Sequence, residues 1–185
     1  MNYLESARRQ FDYYRILGEK AMAQLPDDAL NWSPDAETNS IATIVRHLHG
    51  NMLSRWTDFL AEDGEKAWRN RDAEFEQPDW SHDELLQHWN AGWACLSAAL
   101  DVVTDADLER IIYIRNEGHT ILEAINRQLA HYPYHVGQIV FIAKLIVKGD
   151  WQSLSIPRNG SGAYNAGKFA QEKGVRHFTD GELGK

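Results

Sequence analysis

Between Thr120 and Lys148, apolar residues recur three and four positions apart over about eight helical turns. Ile121, Ile125, Leu129, Tyr132, Val136, Ile139, Ala143 and Ile146 fall on one face of an α-helix. Thr120 and Glu123 have the spacing of a capping box, and Gly149 is the expected C-terminal stop. Pro133 falls inside this pattern, where it removes a bond to the Leu129 carbonyl at a cost of about 3 kcal/mol. The stripe keeps its register across the proline, which predicts one kinked or bulged helix and not two.

Such a stripe needs partners, and three other segments offer them. Asn2 is placed to cap a helix from Tyr3 to about Gln24, with Leu4, Ala7, Phe11, Tyr14, Gly18, Ala21 and Leu25 along its seam. A second helix is expected from Asn39 or Ser40 to about Asp63, closed by Gly64, with Ile41, Ile44, Val45, Leu48, Met52, Trp56 and Phe59 inward. Residues 65–80 are charged, carry Pro78 and lack periodicity, and read as a loop. Ser81 and Glu84 form a capping box for a third helix reaching about Val103. Arg110 to Arg115 alternates like a short strand or extended connector, turned at Asn116-Glu117-Gly118. The expected fold is therefore all-α, a four-helix bundle over residues 1–150. Residues 151–185 form a Gly-rich, irregular C-terminal arm that packs on the bundle or on a partner subunit.

The net charge of −8 excludes a nucleic-acid binder, which needs a basic patch. Arg69 and Arg71 come nearest to one, with acidic residues on either side. No apolar run approaches the roughly 18 residues of a membrane span, and the N-terminus lacks a signal-peptide pattern. The single Cys95 cannot form an internal disulfide, so a cytoplasmic location is expected.

The histidines carry the chemical argument. His131 and His135, on the long helix, are four apart and so share one face, close enough to grip one metal ion from consecutive turns. The position after the first histidine is Tyr132, not the glutamate of the zinc metalloproteases, so that reading fails. Two histidines on one helix can also be ordinary hydrogen-bonded residues. A third ligand from the second helix would be His47 or His49, and periodicity does not choose between them.

A His-Leu-x-x-Asn motif at His47–Asn51, followed on the fourth helix by His-x-x-x-His-x-Gly-Gln at His131–Gln138, resembles the DinB/YfiT-like superfamily of metalloenzymes. Trp32-Ser33-Pro34 fits the same pattern, and the run from Arg127 to Gln138 is similar to one branch of unknown function. The resemblance covers residues 1 to 150. It implies a DinB/YfiT-like bundle and a three-histidine site of His47, His131 and His135, selecting His47 over His49. The ion would be divalent, nickel or zinc first and iron or manganese next, with open positions for water or substrate. Asn51, Arg127, Tyr134 and Gln138, each about one turn from a ligand or beside one, are candidates to support the ligands or touch substrate.

No Glu or Asp lies on the two histidine-bearing stripes, which disfavours hydrolysis and leaves room for thiol activation. The resemblance implies a metal-dependent enzyme that transfers or isomerises a small molecule with a low-molecular-weight thiol, and a homodimer. The alternative is a stress-response bundle that binds metal or a small molecule without turnover.

In the tail, Gly162 to Phe169 comes within one residue of the phosphate-binding loop pattern. Phe169 stands where Ser or Thr must reach magnesium, and no buried strand precedes it, so the match is a coincidence.

Overall fold

The computed structural model describes residues 1–183. Asn2 turns the chain into α1 (Tyr3–Met22), its side-chain oxygen accepting from the Glu5 amide that a helix start leaves free. A single 3-10 turn at Asp27–Asn31 follows, and Ser40 then caps α2 (Ile41–Trp56) by accepting from the Thr43 amide.

The second helix stops at Trp56 and does not run on to Asp63. Thr57 is extended and Asp58 has φ of 47°, so the chain swings off the helix axis. Gly64 is not its cap. Its N–H donates to the Tyr113 carbonyl at 2.8 Å, and its own carbonyl accepts from the Ser54 hydroxyl at 2.7 Å. Residues 65–80 are irregular apart from a 3-10 turn at Asp72–Phe75.

Ser81 and Glu84 cap α3 (His82–Asp101) reciprocally, as their spacing requires. The alternating stretch forms β1 (Ile111–Ile114), paired antiparallel with β2 (Glu117–Thr120) so that Ile114 faces Glu117. The hairpin turns at Arg115 and Asn116 and not at Asn116-Glu117-Gly118. Both turn residues have positive φ, 56° and 61°, the twist that suits a two-residue hairpin. The Asp63 carboxylate stabilises this otherwise unfavourable backbone by accepting from both of their amides at 2.8 Å.

The capping box of Thr120 and Glu123 opens α4 (Ile121–Val147), one unbroken helix through Pro133. It ends at Lys148, whose φ of 55° terminates it one residue before the expected glycine. α2 packs on α3, α1 on α4, and α2 also meets α4. Phe11, Trp93 and Tyr132 form an aromatic knot where three of these helices converge, with ring centroids 5.8 to 6.5 Å apart. Gly18 lets the Trp89 ring lie against α1: a Cβ there would sit 2.6 Å from Trp89 Cη2. The chain is thus mostly helical, as an all-α reading requires, with one small two-stranded hairpin added.

Beyond α4, Trp151 and Leu154 pack against the core. The next segment is helical where an irregular arm laid over the bundle was expected. α5 (Ser161–Phe169) is exposed along its whole length. The run that imitates a phosphate loop lies inside it, and a helix cannot cradle a phosphate in that way. The chain then returns to α1 through buried Thr179, a His177–Ser6 contact of 3.3 Å and an Arg9–Asp180 ion pair, ending in α6 (Asp180–Leu183). Among the described residues no helix is long and apolar enough to cross a membrane.

Candidate metal centre

Where α2 faces α4, three imidazoles converge. His47 projects from the middle of α2, and His131 and His135 from consecutive turns of α4. One ring nitrogen of each lies within 4.8 Å of the others. His131 Nε2 is 3.3 Å from His47 Nε2 and 3.1 Å from His135 Nε2.

The opposite nitrogens show which face of each ring is free. His47 Nδ1 lies 2.9 Å from a Glu74 oxygen, a carboxylate that can only accept. His131 Nδ1 donates to Gln128 Oε1 at 3.1 Å, and His135 Nδ1 to Gln138 Oε1 at 2.8 Å. With the protons on Nδ1, all three Nε2 lone pairs point at one another. Acceptors at hydrogen-bond distance without a proton between them repel unless a cation sits among them. This donor set therefore fits a divalent metal ion, and three imidazoles suit zinc, nickel and iron alike.

Burial reinforces the arrangement. His47 and His135 are buried and His131 half-buried. Desolvation first, then the neighbouring imidazoles, lowers His131 to about 3. His135 is lowered to about 4, by burial and then by His47, against the opposing effect of the hydrogen bond it donates to Gln138. Both are neutral near pH 7, the form that ligates.

Glu74 was not legible in the sequence. It arrives from the 3-10 turn in the segment read as a loop, and it supplies the carboxylate that the histidine stripes lack. Burial pushes its pKa up, but hydrogen bonds from His47 and Arg69 outweigh this and hold it below the usual carboxylate range. Arg69 grips both oxygens, Nε to Oε1 at 2.7 Å and Nη2 to Oε2 at 2.9 Å. The next residue, Phe75, stacks on the His47 ring with centroids 4.8 Å apart. Gly50 makes the approach possible: a Cβ there would overlap Glu74 Oε1 and lie 2.8 Å from its Cδ.

The other candidates separate. Asn51 is buried and lines the cavity, but its oxygen is taken by the Tyr132 hydroxyl at 3.1 Å, which in turn accepts from Trp56 Nε1 at 3.0 Å. Gln138 orients His135, as a residue one turn away can. Gln128, which the spacing argument passed over for Arg127, does the same for His131. Gln three before one ligand and Gln three after the other is the signal that could have found both. Arg127 and Tyr134 are exposed at the cavity rim. His49 lies elsewhere, facing His88 across the α2–α3 contact with ring centroids 4.6 Å apart, and His88 stacks on Trp80 at 4.0 Å. Cys95 is half-buried, its thiol pushed up by burial, and it does not line the cavity.

A family model described as a protein of unknown function, DUF1572, matches residues 1–160. The chain belongs to the DUF1572 family. In this DUF1572 protein His47, His131 and His135, with Glu74, Gln128 and Gln138, lie inside the matched region. No curated protein matches it. Its fold is similar to the crystal structure of a conserved protein from Enterococcus faecalis, with a TM-score of 0.61 and 17% identity. That likeness covers 80% of this chain and 98% of the other.

Proposed function

We propose that this chain is a divalent-metal-dependent enzyme on a four-helix bundle of the DinB/YfiT-like type, with His47, His131 and His135 as the protein ligands. The observation that carries the reading is the convergence of three Nε2 atoms whose opposite nitrogens are all engaged by acceptors. Structural metal sites close their coordination with four protein ligands, whereas three leave room for a reactant. The ion, when bound, would polarise a substrate oxygen or sulfur and lower the pKa of a coordinated water or thiol.

The chain's own residues do the rest. Glu74 holds the proton on His47 Nδ1, and the two glutamines hold those on His131 and His135 Nδ1, so each ring keeps its tautomer and orientation. Arg69 keeps Glu74 ionised. Phe75 limits solvent over one face of His47. Glu74 is committed to this task and no carboxylate lines the cavity, so a carboxylate general base is lacking there among the described residues. That favours a nucleophile that ionises at the metal itself, and supports transfer or isomerisation of a small molecule with a low-molecular-weight thiol over general-base hydrolysis.

Elemental analysis after loading with zinc, nickel, iron(II) or manganese tests the site. The wild type should hold one equivalent and H131A none; a wild type that stays metal-free with all four sinks the reading. Turnover is tested by thiol consumption with electrophilic substrates. Undiminished activity in H47A would remove the metal from the chemistry.

A further inference from the structure

The cavity over the three histidines has a second character besides its imidazoles. It holds about 480 Å³, enough for a small molecule, and five arginines line it: Arg55, Arg69, Arg71, Arg115 and Arg127. Among the described residues no aspartate or glutamate does. In a chain of net charge −8 this is a local inversion of sign. The five come from separate places: α2, the irregular segment after it, the hairpin turn and α4. Only the tertiary fold assembles them, so the cluster is no accident of one basic stretch.

Three of the five are already occupied. Arg69 grips Glu74, while Arg55, Arg69 and Arg115 all share one oxygen of Glu65, at 3.1, 3.4 and 3.0 Å. Two carboxylates, Glu65 and Glu74, are ion-paired with three of the five guanidinium groups, and Asp63 adds a third negative charge near Arg55, so positive charge is in excess around the cavity. The remaining pair is uncommitted. Among the described residues the Arg127 guanidinium makes no ion pair or hydrogen bond, and that of Arg71 only lies over the Phe75 ring, 5.0 Å from its centroid. Both are exposed on the rim, with the half-buried His131 in the same cavity. Guanidinium groups match carboxylate and phosphate oxygens in paired hydrogen bonds, and a concave site of one sign concentrates ligands of the other.

We propose that this cavity selects a small oxyanion-bearing substrate, a carboxylate or phosphate compound, whose anionic group is held by Arg71 and Arg127 beside the histidine cluster. The proposal deepens the reading above and rests on the histidine cavity being the place of reaction. Arg69 positions Glu74 and does not touch the ligand. The cavity's concavity and the chain's overall negative charge favour a small anion over a polyanionic macromolecule.

Calorimetric titration with inorganic phosphate and with succinate, each on metal-free and zinc-loaded protein, tests this, with glycerol as the neutral control. Both anions, or one of them, should bind the metal-free wild type, weakly and less well as salt rises, and glycerol should not. Which anion binds more tightly separates a phosphate from a carboxylate substrate. Arg71→Ala/Arg127→Ala should weaken binding about tenfold or more, as expected when paired charged hydrogen bonds are lost. Arg127→Lys should retain part of it. Both side chains are exposed, so the variants should melt as the wild type does. Absence of anion binding to the wild type in either metal state overturns the proposal. So does anion binding seen only with zinc and unchanged in the double variant, which would assign the anion to the ion alone. Metal content is read separately. A protein that takes zinc but no anion refutes only this inference, and one that takes anions but no metal refutes only the metal site.

Discussion

Gly50→Ala is the most informative single substitution, because helix propensity and the site make opposite demands on it. Gly50 lies inside α2 without positive φ, so alanine should stabilise the helix by about 1 kcal/mol. The new methyl, however, would occupy the space of the Glu74 carboxylate, overlapping Oε1 and lying 2.8 Å from Cδ. A free glutamate would swing away at little cost. This one is held by His47 at 2.9 Å and by Arg69 at 2.7 and 2.9 Å in a buried setting, so moving it breaks those bonds. Displacing it weakens charged hydrogen bonds contributing about 1.5–3 kcal/mol each. Losing the equivalent of one or two of them outweighs the helix gain and leaves a net loss of about 2 kcal/mol. For a domain of this size that lowers Tm by about 4–8 °C. Freed from Glu74, His47 should also lose metal affinity by about 10–100-fold. Gly137→Ala is the control: it also lies in a helix, its Cβ would meet nothing within 4 Å, and it should gain the helix increment without loss. Thermal melts and zinc titrations of both variants decide the matter. If Gly50→Ala is stabilised as Gly137→Ala is and binds zinc normally, then Glu74 does not orient His47.

Other perturbations test the frame around the site. Tyr132→Phe leaves the buried Trp56 Nε1 without its acceptor and Asn51 without its donor, and should cost about 1–3 kcal/mol in urea unfolding; an unchanged midpoint would mean that water replaces the hydroxyl. Gly18→Ala forces a methyl against Trp89, a rigid ring that is itself buried, and should destabilise by about 1–3 kcal/mol despite the better helix former; equal or greater stability would show that α1 can move away. Pro133→Ala restores an amide donor to α4 and should stabilise by about 1–3 kcal/mol in the same assay, whereas a loss would show that the helix is built around the ring.

How legible the structure was depended on how local each feature is. Asn2, Ser81 and Thr120 announced their helix starts because a cap bonds an amide only three residues away. The apolar stripe of α4 was equally plain, and Tyr132, Val136 and Ile139 are all fully buried. Helix ends were harder. Gly64 and Gly149 looked like stops, yet the chain departs through Thr57–Asp58 in one case and Lys148 in the other, where the non-glycine residues Asp58 and Lys148 take positive φ. α5 went unread because its segment is rich in glycine and carries few large apolar residues, and the helix it forms buries none of them. At the site, His131 and His135 follow from helical spacing, but periodicity left His47 and His49 equivalent. Their environments differ only through what packs opposite, α4 and Phe75 for one and His88 for the other. Glu74 lies 27 residues beyond His47 in an aperiodic segment, and no local rule connects the two.

Rotation about the axis of α4 gives the proline-bearing helix a further meaning. Successive residues on a helix are turned by about 100°, so residues four apart differ by only about 40°. His131 and His135 therefore share one narrow sector, while Tyr132, one step on, points into the aromatic knot. The sector that fills the core and the sector that bears the histidines are rigidly phased by a single backbone. Inserting or deleting one residue between Ile125 and His131 would turn both imidazoles away from His47 together, and would turn the fully buried Tyr132, Val136 and Ile139 out of the core by the same angle. Length changes in that half of the helix thus strike the site and the fold together, and chains that retain the site can be expected to have kept that spacing intact.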